Sequence, residues 1–141
     1  MNLEKRLHSR GYRYTPQREA VFGVLKENEG KPLSPEEVHE LACKRFSSLG
    51  LTTTYRSLEL FCDLGLATRV HLHGDSHYYE VNTGKHHHHM VCLSCGAIEI
   101  LEACLIEELK ERVRDGSDFL VTEHCMSLFG YCPGCLTSRK G

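Results

Sequence analysis

Two C-x-x-C pairs, Cys92-Leu93-Ser94-Cys95 and Cys132-Pro133-Gly134-Cys135, constrain this chain more than any other feature. Two intervening residues let both sulfurs of a pair reach one ion. Four thiolates then close a tetrahedral shell with no open position, which suits structural zinc and not catalysis. Gly96 and Gly134 are expected to allow the tight turns. A redox dithiol is the alternative for either pair alone; two pairs together point to metal. Such a site ties the start of a C-terminal domain to its end and supplies much of its stability. The support is needed, because 141 residues make one domain or two small ones that bury little apolar surface each. The chain has eight cysteines. No apolar run is long enough to span a bilayer, and residues 1–10 lack the apolar centre of a signal peptide. The expected location is therefore cytoplasmic, where cysteines serve metals more often than disulfides.

Four consecutive histidines, His86-His87-His88-His89, lead into the first cysteine pair. Side chains of a strand alternate between faces, so His87 and His89 point one way and His86 and His88 the other. One run can thus feed two metal sites. Partners must come from elsewhere, and the candidates are Glu80, Glu107 and His124. Shells of imidazole and carboxylate suit Zn(II), Fe(II) or Mn(II), and affinity order does not choose among them. Taken alone, Glu107 also reads as a solvated helix carboxylate and His124 as a core histidine. Cys43 and Cys62 read as core residues, and Cys104 and Cys125 as core residues or thiols near metal.

The N-terminal part reads as helices followed by a hairpin. A short helix is expected over 3–9. A second opens at Thr15-Pro16, with Val21, Val24 and Leu25 inward, and ends at Gly30. A third opens at Ser34-Pro35-Glu36-Glu37, which has capping-box spacing, and buries Val38, Leu41, Ala42 and Phe46. A fourth runs from about Thr52 to Leu64, buries Leu58, Phe61 and Cys62, and stops at Gly65. Strands over 66–73 and 77–81, joined at Gly74-Asp75, form a wing. Three helices and a wing make a winged helix-turn-helix. Thr52, Thr53, Tyr55 and Arg56 at the start of the fourth helix suit contacts to phosphates and base edges. The formal net charge is −2, but residues 1–18 carry five basic side chains against one acid, whereas 86–141 carry five against eight. That polarity suits a chain touching phosphate at one end. The predicted organisation is α+β: a DNA-binding domain over 1–81, a hinge over 82–85, and an α/β dimerisation and metal-binding domain over 86–141. The second domain is expected to hold strands over 90–93 and 97–101, a helix over 103–114 and a long strand over 119–131.

Taken in order, four segments resemble the ferric uptake regulator family of bacterial metalloregulators. They are Tyr14-Thr15-Pro16-Gln17-Arg18, Gly50 to Arg56, His86 to Gly96, and Phe129 to Cys135. The resemblance implies a homodimeric repressor that binds palindromic double-stranded operators when metallated. It implies structural zinc at Cys92, Cys95, Cys132 and Cys135, and a second site of His86, His88, Glu107 and His124. It also implies a regulatory Fe(II) or Zn(II) site of Glu80, His87 and His89. DNA contacts then fall to Arg13, Gln17, Arg18, Thr52, Thr53, Tyr55 and Arg56. The chain departs from the family pattern twice. Iron- and peroxide-sensing members usually supply a histidine before the third helix, where this chain has Lys31-Pro32-Leu33. They also place a carboxylate eight residues after the first knuckle cysteine, where this chain has Ile100. The departures disfavour peroxide sensing, leave iron and zinc, and make His71, His73, Glu99 and Glu102 candidates to complete the regulatory shell.

Two other function classes account for less of the sequence. A zinc hydrolase needs an open coordination position and a placed base, and no H-E-x-x-H pattern occurs. A metal-buffering or zinc-ribbon interaction module without DNA binding leaves the Thr52–Arg56 segment and the wing unexplained. Such a module is distinguished by weak, salt-insensitive DNA association.

Overall fold

The computed structural model describes residues 2–72, 77–104, 106–122, 124 and 126–139. The expected turn at Gly74-Asp75, the candidate ligand His73, and Cys125 lie outside them. The chain divides into two compact units, residues 1–84 and 85–141.

The first unit is built from α1 (Leu3–Ser9), α2 (Pro16–Glu27), α3 (Pro35–Cys43) and α4 (Leu51–Asp63), followed by an antiparallel ribbon of β1 (Ala67–His71) and β2 (His77–Val81). The local signals act as expected. The Thr15 side chain accepts the Arg18 backbone N–H at the start of α2. Ser34 and Glu37 close a reciprocal capping box on α3. After α4, Gly65 sits at φ +73°. Its N–H bonds the Cys62 carbonyl at 3.1 Å and the Leu66 N–H bonds that of Phe61 at 2.8 Å. This is a Schellman closure, which needs the left-handed residue that glycine supplies without strain. The core is one cluster in which Val21, Val24, Leu25, Val38, Ala42, Leu58 and Phe61 are buried, with Leu41, Phe46, Cys43 and Cys62 packed at its margin. Leu33 bridges to Tyr79 of β2, with backbone bonds of 2.8 and 2.9 Å, so the segment before α3 is pinned to the wing.

The second unit has β3 (His88–Cys92) at the centre of a three-stranded sheet, flanked by β4 (Ile98–Leu101) antiparallel and β5 (Ser127–Gly130) parallel. Two helices accompany the sheet, α5 (Ile106–Ser117) and α6 (Pro133–Arg139). This unit departs from expectation at its end. The long strand expected over 119–131 is reduced to four residues, because β5 finds partners only along His89–Cys92 of β3. His124 therefore precedes the strand and does not lie in it. α6 has no counterpart among the expected elements: Pro133 fixes φ for a first helical turn, so the second cysteine pair opens a helix and Gly134 serves no tight turn. Among the described residues the buried apolar side chains of this unit are only Val91 and Cys92, and α5 buries none. No helix among the described residues is long and apolar enough to cross a membrane.

Candidate metal centres and DNA-facing helix

The four cysteines converge because parallel pairing carries residue 132 to the end of β3. The Leu93 N–H bonds the Gly130 carbonyl at 2.7 Å, extending the β3–β5 ladder one step past Cys92. The first knuckle then reverses through Gly96 at φ +77°, with its N–H on the Cys92 carbonyl at 3.0 Å. Cys92 Sγ accepts the backbone N–H groups of Cys132 at 3.4 Å and Cys95 at 3.5 Å. Cys95 and Cys132 Sγ lie 3.8 Å apart, and all four sulfurs lie within 4.8 Å of one another. A zinc–sulfur bond of about 2.3 Å in a tetrahedron gives a sulfur–sulfur edge of about 3.8 Å. The residues present thus fit structural zinc. The electrostatics agree. The N–H groups of Cys132 and Cys95 hold the Cys92 thiol down to about 6. At Cys135 the Ser94 hydroxyl lowers the pKa, but the sulfurs of Cys132, Cys92 and Cys95 outweigh it and push the thiol up to about 12. Four adjacent thiolates repel one another, and a dication is what lets all four ionise together.

The histidine run splits by strand parity. His86 and His88 meet on one side, with ring centroids 4.6 Å apart and Nε2 atoms 3.0 Å apart. His87 and His89 meet on the other, with centroids 5.0 Å apart. His124 joins the first pair, its Nε2 3.1 Å from that of His86. Burial first, and then the neighbouring His86 ring, lower the pKa of both His88 and His124. That favours the neutral imidazole that ligates metal.

Glu107, assigned to this group by resemblance, is not among the donors gathered there. On the first turn of α5 its side chain is 80% exposed and pairs with Lys110 at 3.2 Å. The fourth donor is Cys104, in the segment between β4 and α5. Its Sγ lies 3.2, 3.3 and 3.7 Å from the Nε2 atoms of His86, His88 and His124. The sequence signal was a cysteine without a partner motif, just ahead of the helix that carries Glu107.

Glu80 lies on β2 opposite Thr68 and is buried. Of the residues considered as its auxiliaries, His71 faces His77 across the wing, with ring centroids 4.7 Å apart. Glu99 is paired with Met90 in the sheet, which sets it on the face opposite His89. Ile100 is the residue paired with His89. Glu102 is exposed. Pro32 and Leu33 are fully buried and offer no ligand.

On α4, Thr52, Thr53, Tyr55 and Arg56 are exposed, and Thr54 and Ser57 turn inward. A polar pin missed in the sequence holds this helix: His39 Nδ1 meets Thr54 Oγ1 at 2.9 Å, and Cys43 Sγ lies 3.5 Å from His39 Nε2. The Tyr55 hydroxyl donates to Glu36 at 2.7 Å, which lowers the Glu36 pKa. At the other basic segment, Arg13 is exposed and Gln17 and Arg18 half-buried, with the Arg18 guanidinium bonded to the Arg13 carbonyl.

Comparison with known proteins gives one answer. A sequence model of the ferric uptake regulator family matches residues 9–129. The ferric uptake regulation protein of Bacillus subtilis is 35% identical over 136 residues, spanning 94% of this chain and 91% of that protein. The Helicobacter pylori ferric uptake regulator, described as having three functional metal binding sites, superposes with a TM-score of 0.80 at 26% identity, covering 95% of this chain and 89% of its own. An iron-containing ferric uptake regulator from Francisella tularensis gives 0.79 at 27% identity, covering 89% and 96%. The chain belongs to the ferric uptake regulator family of metal-responsive transcriptional repressors.

Proposed function

We propose that this chain is a homodimeric repressor whose affinity for a palindromic operator is set by Fe(II) at Glu80, His87 and His89, with zinc held permanently by the four cysteines. The observation that carries the reading is the split histidine run. One four-residue segment supplies ligand pairs on both faces of β3, beside a separate four-sulfur cluster, so structural and exchangeable metals have different donors. Imidazole and carboxylate suit Fe(II), and the relatives named above are iron regulators, one of them containing iron. Metal joining Glu80 to His87 and His89 favours the arrangement in which two reading helices match half-sites one helical turn apart. Without metal, affinity falls by the fraction of time that arrangement is lost. Arg13, Gln17, Arg18, Thr52, Thr53, Tyr55 and Arg56 are the proposed DNA contacts. Dimerisation is supported by the exposed large apolar side chains of the second unit, among them Phe119 and Leu120, 66% and 69% exposed.

A zinc-responsive reading is favoured by one specific observation: the Lys31-Pro32-Leu33 stretch and Ile100 stand where iron-sensing members usually supply ligands, leaving fewer donors for a six-coordinate ion. Anaerobic titration of operator binding separates the two. The starting protein retains its cysteine-bound zinc and has lost weaker metals. Binding driven by Fe(II) at micromolar levels supports the iron reading, and binding at far lower free Zn(II) supports the zinc reading. No dependence on either metal refutes both.

A further inference from the structure

The structure assigns a thiolate to the second histidine centre: we propose that Cys104, in place of Glu107, completes a closed cage with His86, His88 and His124 that takes zinc in preference to iron or manganese. The proposal deepens the metal-regulator reading by naming the ligands of one centre. Its test contains no DNA, so its failure leaves the proposal for Glu80, His87 and His89 standing.

Three imidazoles and one sulfur lie within 4.8 Å of one another, and the five measured separations run from 3.0 to 3.7 Å. With metal–nitrogen bonds of about 2.0–2.1 Å and a metal–sulfur bond of about 2.3 Å, a tetrahedron has nitrogen–nitrogen edges near 3.4 Å and sulfur–nitrogen edges near 3.6 Å. The cluster is already at that scale. Its elements explain why. His88 is on β3 opposite Leu101, the last residue of β4. Cys104 follows three residues later, which returns its sulfur to His88. Glu107 lies three residues further on, exposed and engaged by Lys110.

Sulfur changes the selectivity. A carboxylate with histidines accepts manganese, iron or zinc, whereas a thiolate shifts the choice toward softer borderline ions, and zinc accepts four such ligands in a closed shell. Two zinc centres per chain follow, one with four sulfurs and one with a single sulfur.

The test uses the full-length protein with its four-cysteine zinc in place and its weaker metals removed. Cobalt(II) is added as a spectroscopic probe, and Cys104 alkylation is followed by mass spectrometry with and without Zn(II). The expected result is a sulfur-to-cobalt charge-transfer band that is lost in Cys104→Ser and kept in Glu107→Gln. Zinc should protect Cys104 from alkylation in the unmodified protein, a readout that needs no variant to fold. Zinc affinity of the centre should fall at least about 10–100-fold in Cys104→Ser, the range seen when only a supporting group of a metal site is lost. A band that persists in Cys104→Ser, or metal loss in Glu107→Gln with none in Cys104→Ser, overturns the assignment. Equal alkylation rates with and without zinc overturn it as well.

Discussion

Replacing Cys92 by serine should unfold the second unit and leave the first intact. Cys92 is the buried member of the cluster and the one whose sulfur receives two backbone N–H groups. Around it the unit has little else to hold it. Val91 is its only other buried apolar side chain among the described residues, worth about 1.5–3 kcal/mol, and each residue ordered costs about 1–2 kcal/mol of backbone entropy. Structural zinc in small domains contributes about 10–16 kcal/mol at neutral pH. Losing even half of that, about 5–8 kcal/mol, would cancel the stability of a domain at the low end of the usual range of about 5–15 kcal/mol. The proposed dimer contacts lie on the same unit, so the dimer should dissociate with it. Hydrogen exchange read by mass spectrometry is the assay, with zinc content and sedimentation measured on the same samples. Amides of 88–92, 98–101 and 127–130 should lose protection, while those of α2, α3 and α4 keep it. A zinc-free Cys92→Ser dimer with native protection across 88–101 would refute the reasoning, because the sheet would then be shown to stand without its metal.

Other expectations follow from the same structure. His87→Ala and His89→Ala should remain folded dimers yet lose metal-dependent operator binding, and unchanged affinity in both would remove this pair from the switch. Gly65→Ala places a Cβ at φ +73° and should cost about 1–2 kcal/mol, read as a lower urea midpoint at unchanged slope. Arg56→Ala should weaken operator binding and reduce the salt slope by about 1 if Arg56 meets a phosphate; an unchanged slope assigns it elsewhere. The Tyr55 hydroxyl holds Glu36 below its ordinary 4.5, so this contact is intact above that value and is lost as pH falls through the lower folded one. In Tyr55→Phe the Glu36 carboxyl should return toward 4.5 in a carbon-13 titration, and an unmoved titration would show that the hydrogen bond is absent in solution.

Much of this protein is written in short-range patterns. The caps at Thr15 and Ser34, the stop at Gly65, the inward stripes of α2 to α4 and the parity of the histidine run all follow from spacing of a few residues. Local geometry is enough to decide them, because backbone periodicity sets which side chains share a face. The two cysteine pairs announce their metal for the same reason: each is a local chelate, and the second pair only has to arrive. What spacing does not contain is which distant residue arrives at a given face. The parallel pairing of β5 with β3 shortened the expected last strand and left His124 ahead of it. The register of β4 set Glu99 on the face away from His89 and carried the chain past His88, so that Cys104 and not Glu107 reaches the histidines. These outcomes depend on strand pairing between segments far apart in the chain, where a shift of one residue exchanges one face for the other, and only the assembled sheet determines that register.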